Sequence, residues 1–97
     1  MKKVLFAIAV TSMMGTSAIQ ADQGEDMYNA LGCSGCHGVA GKSSIPTYPT
    51  LAGKDAAWIA QQLKDFQSGA RQDATMNAMA PMTAGFEQAI ADYLSAQ

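Results

Sequence analysis

The chain has 97 residues, the size of one small domain. Its 6 basic against 8 acidic side chains argue against a nucleic-acid-binding protein, because contacts to phosphates need a basic surface. Apolar residues make up 48% of the chain, but many of them are concentrated at the N-terminus, which therefore has to be considered first.

The N-terminus has the pattern of a secretory signal. Two lysines precede an unbroken apolar run from Val4 to Val10, and a run this short is typical of an export signal, since a membrane span needs about 20 apolar residues. Cleavage is expected after Ala21, and a less favourable site after Ala18 is the alternative. We expect a signal peptide over residues 1–21 and an exported domain over residues 22–97 that has no membrane span. An uncleaved anchor or buried helix is the alternative.

The 76 residues after the expected cleavage site carry four basic and eight acidic side chains, a net charge of −4. This charge favours solubility and a positively charged partner surface. Chains of fewer than roughly 80 residues usually need a disulfide, a metal or another cross-link in addition to a protein core. The sequence is therefore expected to provide such a cross-link.

A first helix is predicted from about Gln23 to Leu31. Asp22 and Glu25 form a capping-box-like start, and apolar residues at spacings of three and four give the helix one apolar face. Gly32 is expected to end it.

The two cysteines stand in the motif Cys33-Ser34-Gly35-Cys36-His37. A zinc site would need four ligands, but His37 is the only histidine. A dithiol redox motif is expected in a strand–helix–strand setting, which this chain does not suggest, and a local disulfide would leave the domain without an adequate core. Covalent haem attachment fits, because the thiols can add to the haem vinyl groups and the adjacent histidine can bind the iron.

The stretch from Gly38 to Gly53 is rich in glycine and proline, so it is expected to be a loop that wraps around a bound group. Helical periodicity returns from Asp55 to Ser68, and Gly69 is expected to end that helix.

A third helix is predicted from about Thr83 to Ala96. Gly85 and the lack of an acidic residue three positions after Thr83 weaken the start of this helix, which can therefore begin nearer Phe86.

With no second histidine, the sixth ligand of a haem iron would be methionine, lysine, water or nothing. Three of the methionines that follow the expected cleavage site, Met76, Met79 and Met82, lie in the Pro-containing segment 75–84. Methionine is usually a flexible core filler, so packing alone is the alternative. A thioether ligand would give the iron a comparatively high reduction potential.

The chain resembles the class I c-type cytochromes, of the small single-haem bacterial, cytochrome c-553-like kind, and also one half of the dihaem periplasmic cytochromes c. The resemblance covers nearly all of residues 23–97. It rests on an ordered series of segments: Gly24-x-x-x-Tyr28, Cys33 to Gly38, Tyr48 to Gly53, Gln62 to Arg71, Met76 to Ala80 and Ala91 to Leu94. It implies an all-α class I cytochrome c fold in which three main helices and loops surround one covalently bound haem.

The resemblance also implies roles for individual residues. The first and last helices are expected to cross at Gly24 and Tyr28 against Tyr93. On ordinary packing grounds, apart from the resemblance, the aromatic side chains are expected to lie in the core and to shelter the cofactor, Tyr28, Trp58, Phe66 and Tyr93 among them.

For the haem, the resemblance implies Cys33 and Cys36 as covalent attachment sites and His37 and Met76 as axial ligands to the iron. Met79 is the alternative ligand.

Four further expectations concern individual side chains around the haem and the core. His37 is expected to donate to the Pro49 carbonyl, with Leu51 beside the porphyrin. Met82 is expected in the core, and Arg71 either pairs with a haem propionate or is a solvated charge.

These parts lead us to expect a soluble periplasmic single-electron carrier of the respiratory chain, not an enzyme. Its expected partners are a quinol-oxidising complex or dehydrogenase on one side and a terminal oxidase, peroxidase or reductase on the other, with no nucleic acid. A haem sensor or redox-enzyme subunit with a labile sixth ligand is one alternative, and a thiol–disulfide oxidoreductase is another.

Overall fold

A computed structural model describes residues 22–97 of the chain. The predicted signal peptide over residues 1–21 lies outside the described residues. Within the described part, none of the helices has the length and apolar character needed to cross a membrane.

Five α-helices and two short 3-10 turns make up the described fold. The helices are α1 (residues 22–30), α2 (Ser34–His37), α3 (Ala56–Ser68), α4 (Ala74–Met79) and α5 (Glu87–Ser95). The 3-10 turns are Val39–Gly41 and Ala80–Thr83. No strand occurs between residues 22 and 97, which confirms the expected all-α fold.

The crossing of α1 and α5 depends on a glycine. A Cβ atom built on Gly24 would lie 2.0 Å from the Ala89 carbonyl oxygen and 2.9 Å from Tyr93 Cβ, so only glycine allows the two backbones to approach this closely. The Tyr28 and Tyr93 rings pack beside this contact with centroids 5.8 Å apart. The predicted crossing is therefore confirmed.

Helix α3 begins and ends where the sequence predicts. The Asp55 side chain accepts a hydrogen bond from the Trp58 N–H at 3.0 Å and caps the start. Gly69 ends the helix with a φ of 85°. One face of α3 packs on α5, and the shared core is built from Tyr28, Ile59, Ala60, Ile90, Ala91, Tyr93 and Leu94.

Two side chains expected in the core are exposed. Trp58 is 44% exposed because it precedes Ile59 by one residue and so lies about 100° around α3 from the buried stripe. Met82 is 47% exposed, since it lies on a 3-10 turn whose buried residues are Ala80 and Thr83.

The methionine segment and the last helix also differ from the prediction. Residues 74–79 form α4, a helix that the sequence did not predict within the Pro-containing segment, and the following 3-10 turn reaches Thr83. Helix α5 begins only at Glu87, after a turn at Gly85 with a φ of 90°. The later of the two predicted starts is therefore the better one.

Candidate haem site

Both cysteines and the histidine lie on one short helical turn. Cys33 precedes α2, and its carbonyl accepts hydrogen bonds from the N–H groups of Cys36 at 3.2 Å and of His37 at 2.9 Å. Both cysteines are half-buried free thiols, and Cys33 packs against the core. Burial raises the pKa of the Cys33 thiol. The turn therefore presents two thiols and an imidazole side by side in the chain.

His37 is oriented by a backbone carbonyl twelve residues away. Its Nδ1 lies 2.8 Å from the Pro49 carbonyl oxygen, and a carbonyl can only accept, so Nδ1 carries the proton. The lone pair of the neutral ring is then on Nε2, which is the nitrogen left for a metal. The Tyr48 ring meets the imidazole edge-on at 6.3 Å. The pairing of His37 with Pro49 implied by the resemblance is present in the structure.

The loop that carries Pro49 is fixed at both ends. The Gly41 carbonyl accepts hydrogen bonds from Leu51 N–H at 2.8 Å and Ala52 N–H at 3.1 Å. Gly53 N–H donates to the Leu94 carbonyl on α5 at 2.9 Å. Leu51 is half-buried against the core. The acceptor of the His37 proton is therefore held by the body of the domain.

A buried tyrosine supports the chain directly after His37. The Tyr28 hydroxyl, on a side chain with no solvent exposure, donates to the Gly38 carbonyl at 2.6 Å. Gly38 has a φ of 88°, and a Cβ there would lie 2.0 Å from the Lys42 carbonyl oxygen. The sequence predicts only a core position for Tyr28. The hydrogen bond could have been anticipated, because the hydroxyl of a buried tyrosine usually needs a hydrogen-bond partner.

Met76 and Met79 lie on α4 and are both half-buried. Asp73 caps this helix, and its side chain accepts the Met76 N–H at 2.9 Å. Helix α4 contacts α3 and the 3-10 turn that follows it. The two candidate thioethers therefore share one short element, with Met82 exposed beyond it.

Arg71 is held against α3. Its guanidinium carbon lies 4.9 Å from the centre of the Phe66 ring, a cation–π contact, and Nη1 donates to the Gln62 side chain. The arginine is exposed but not freely solvated.

The donor groups suit a macrocycle better than a single metal ion. Within residues 22–97, no three His, Cys, Asp or Glu side chains converge so as to hold a metal ion. The site offers two free thiols, an imidazole with Nε2 available and two thioethers on another helix. Such a set suits a large group that is bound through several of its own atoms. Haem c is such a group, because it uses cysteines at its periphery and axial ligands at its iron.

Comparison with known proteins leads to the same family. The family model described as Cytochrome c matches residues 21–96. The electron acceptor of thiosulfate dehydrogenase from Thiomonas intermedia (strain K12) is 41% identical over 68 residues, which are 68% of this chain and 31% of that protein. Cytochrome c4 of Stutzerimonas stutzeri is 33% identical over 70 residues, 71% of this chain and 33% of that protein.

A solved structure extends the comparison to the fold. Cytochrome c4 of Acidithiobacillus ferrooxidans matches with a TM-score of 0.72 and 31% identity, over 80% of this chain and 49% of that one. The chain thus spans about a third of the length of the two relatives named above and half of the solved structure. The family match and the structural similarity confirm the class I cytochrome c fold, and the family implies a covalently bound haem c with its iron. The chain belongs to the cytochrome c family.

Proposed function

We propose that the chain is a periplasmic electron carrier that holds one haem c through Cys33 and Cys36, with His37 and Met76 as axial ligands. Electron transfer itself follows from the family and its relatives. The observation that carries the finer proposal is the turn of Cys33, Cys36 and His37, in which Nδ1 of the imidazole is engaged by the Pro49 carbonyl.

Each residue has a definite task in this proposal. The thiols of Cys33 and Cys36 would form the thioether links, which keep the cofactor attached. The hydrogen bond from His37 to Pro49 holds the imidazole in one tautomer and orientation and raises its basicity. When bound, the haem supplies one-electron exchange between ferric and ferrous iron.

Met76 is the proposed sixth ligand, and Met79 is its alternative on the same helix. A thioether opposite His37 would fill the last position on the iron, which blocks substrate binding and oxygen chemistry. Ligands that stay in place also keep the reorganisation that accompanies electron transfer small. These features support a carrier and not an enzyme.

The proposed partners are redox proteins: a quinol-oxidising complex or a dehydrogenase as donor, and a terminal oxidase, peroxidase or reductase as acceptor. The Thiomonas intermedia relative is named as the electron acceptor of a dehydrogenase, which supports the donor side. The net charge of −4 over residues 22–97 favours a positively charged partner surface. Binding is then brief and weakens as salt screens the charges.

The proposal is tested on the exported protein. We expect the mature chain to begin at Asp22, its mass to exceed that of the polypeptide by one haem, and the reduced form to show the optical spectrum of a low-spin c-type haem. A colourless protein with titratable thiols would overturn the proposal in favour of thiol–disulfide chemistry. A high-spin ferrous spectrum with rapid carbon monoxide binding would overturn it in favour of a sensor.

The sixth ligand is tested by three alanine variants. Met76→Ala is expected to abolish the near-infrared band of the iron–thioether bond, whereas Met79→Ala retains it. Met82→Ala serves as the matched control, because that side chain is 47% exposed. Loss of the band only in Met79→Ala would assign the ligand to Met79 instead.

A further inference from the structure

One side chain fastens the methionine helix to the end of α3. Asn77 Nδ2 donates to the Phe66 carbonyl at 3.0 Å and to the Arg71 carbonyl at 2.9 Å. Its Oδ1 accepts the Asp73 N–H at 2.8 Å. Both donors and the acceptor of the amide are therefore used, and the three partners belong to three successive parts of the backbone.

These hydrogen bonds supply partners to backbone groups that have none within their own helices. Phe66 lies in the last turn of α3, where carbonyls have no partner within the helix. Asp73 is the residue that caps α4, so Asn77 braces the start of its own helix while it binds the end of the preceding one. Removing the side chain would free α4 from α3 at this point.

A second amide holds the segment that follows α4. Gln67 Nε2 lies within hydrogen-bonding distance of three acceptors that share its two N–H groups: the Ala80 carbonyl at 3.0 Å, Thr83 Oγ1 at 3.2 Å and Glu87 Oε2 at 2.8 Å. Thr83 is 3% exposed, and its hydroxyl also donates to the Ala80 carbonyl at 2.7 Å. Gln67 on α3 therefore holds the segment that follows α4, and Asn77 binds α4 itself to the end of α3.

We propose that Asn77 is a positioning residue for the methionine ligand. Its hydrogen bonds set α4 against α3, so that the thioether of Met76, the preceding residue, is held in place independently of its bond to iron. This inference rests on the proposed function, because it concerns the ligand helix of that same site. A competing ligand can replace a thioether held in this way only after α4 has been displaced. The free energy of that displacement weakens the binding of the competing ligand.

The test is displacement of the thioether by imidazole, titrated into the ferric holoprotein and followed by loss of the near-infrared band. Movement of α4 away from α3 breaks the hydrogen bonds of Asn77. Asn77→Ala therefore lowers the free energy of this movement by about the contribution of one or two hydrogen bonds. We expect imidazole to bind about tenfold more tightly or better to Asn77→Ala than to the wild type.

Two controls separate positioning from general stability. Asn29→Ala changes the only other asparagine, an exposed residue on α1, and is expected to leave imidazole affinity unchanged. Asp55→Ala removes the cap at the far end of α3 and lowers global stability without touching α4. It is therefore expected to leave imidazole affinity near the wild-type value.

Equal imidazole affinity in Asn77→Ala and the wild type would overturn the proposal, and so would an equal rise in Asn77→Ala and Asp55→Ala. If the alanine variant does not fold, Asn77→Asp replaces it, because the aspartate keeps the acceptor for Asp73 N–H and loses both donors. Imidazole affinity of Asn77→Asp equal to that of the wild type, or a rise equal to that in Asp55→Ala, would then overturn the proposal. A near-infrared band that is absent in the wild type, or that survives both Met76→Ala and Met79→Ala, would instead refute the proposed ligation.

Discussion

Replacement of Tyr28 by phenylalanine isolates the hydrogen bond that supports the turn after His37. The ring stays in the core, and only the hydroxyl that donates to the Gly38 carbonyl at 2.6 Å is lost. Burial raises the pKa of this hydroxyl to about 12. The group is therefore a neutral donor throughout the neutral pH range, and the effect of the substitution should not depend on pH there.

The size of the effect depends on what still binds the Gly38 carbonyl. A hydrogen bond contributes a net stabilisation of about 1 kcal/mol, and the same carbonyl also accepts the Gly41 N–H at 3.2 Å. Because the carbonyl keeps this partner when the hydroxyl is lost, we expect Tyr28→Phe to lower the free energy of unfolding by about 1 kcal/mol. For a domain of this size each kcal/mol lowers Tm by roughly 4–8 °C. Denaturant and thermal unfolding of the holoprotein would measure both quantities.

Tyr93→Phe is the matched control. Tyr93 packs against Tyr28 and is 8% exposed, but its hydroxyl makes no hydrogen bond to any residue between 22 and 97. Its loss should change stability by less than about 0.5 kcal/mol. If the two variants were equally stable, the hydrogen bond to Gly38 would not stabilise the fold, and the reasoning would be refuted.

Gly24→Ala places a Cβ 2.0 Å from the Ala89 carbonyl oxygen, so thermal unfolding should show a free energy of unfolding lower by at least about 2 kcal/mol. A variant as stable as the wild type would mean that α1 and α5 can move apart without loss of stability. Gly35→Ala meets no atom within 4 Å and should leave stability within about 0.5 kcal/mol of the wild type or raise it. Asp55→Ala removes the cap of α3 and should cost about 1 kcal/mol in denaturant unfolding, so a loss of only a few tenths would contradict the capping role. Burial acts to raise the pKa of the Glu87 carboxyl, but hydrogen bonds from a glutamine side chain and from backbone N–H groups outweigh it and lower the pKa. This carboxyl therefore stabilises the fold above the usual glutamate range, and the contribution disappears as pH falls through the lowered pKa. Unfolding at a series of acidic pH values should show a shallower loss in Glu87→Gln, and identical pH profiles would refute the assignment.

The sequence predicts correctly those features of the fold whose determinants are local. Asp55 caps α3 and Gly69 ends it because capping and a left-handed terminus depend on neighbours within a turn. The crossing at Gly24 followed from the resemblance, and the structure supplies its reason in the approach of the Ala89 carbonyl.

The failures have physical causes as well. Helix α4 has only six residues, too few for a periodic pattern, and short helices owe their stability to tertiary contacts more than to propensity. Its contacts with α3, which include the Asn77 bonds, are not visible in the spacing of apolar residues. Exposure of Trp58 and Met82 is likewise decided by which face of an element the rest of the fold covers.

The amino-acid sequence by itself determined which reactive groups belong to this site, because two thiols and an imidazole, those of Cys33, Cys36 and His37, fall within five consecutive residues. Only the tertiary structure decided what holds that chemistry in place. The Pro49 carbonyl reaches His37 across twelve residues and the Asn77 amide reaches Phe66 across eleven. Such pairs depend on how loops and short helices fold back on α3 and α5, and that path is chosen by the packing of the whole core.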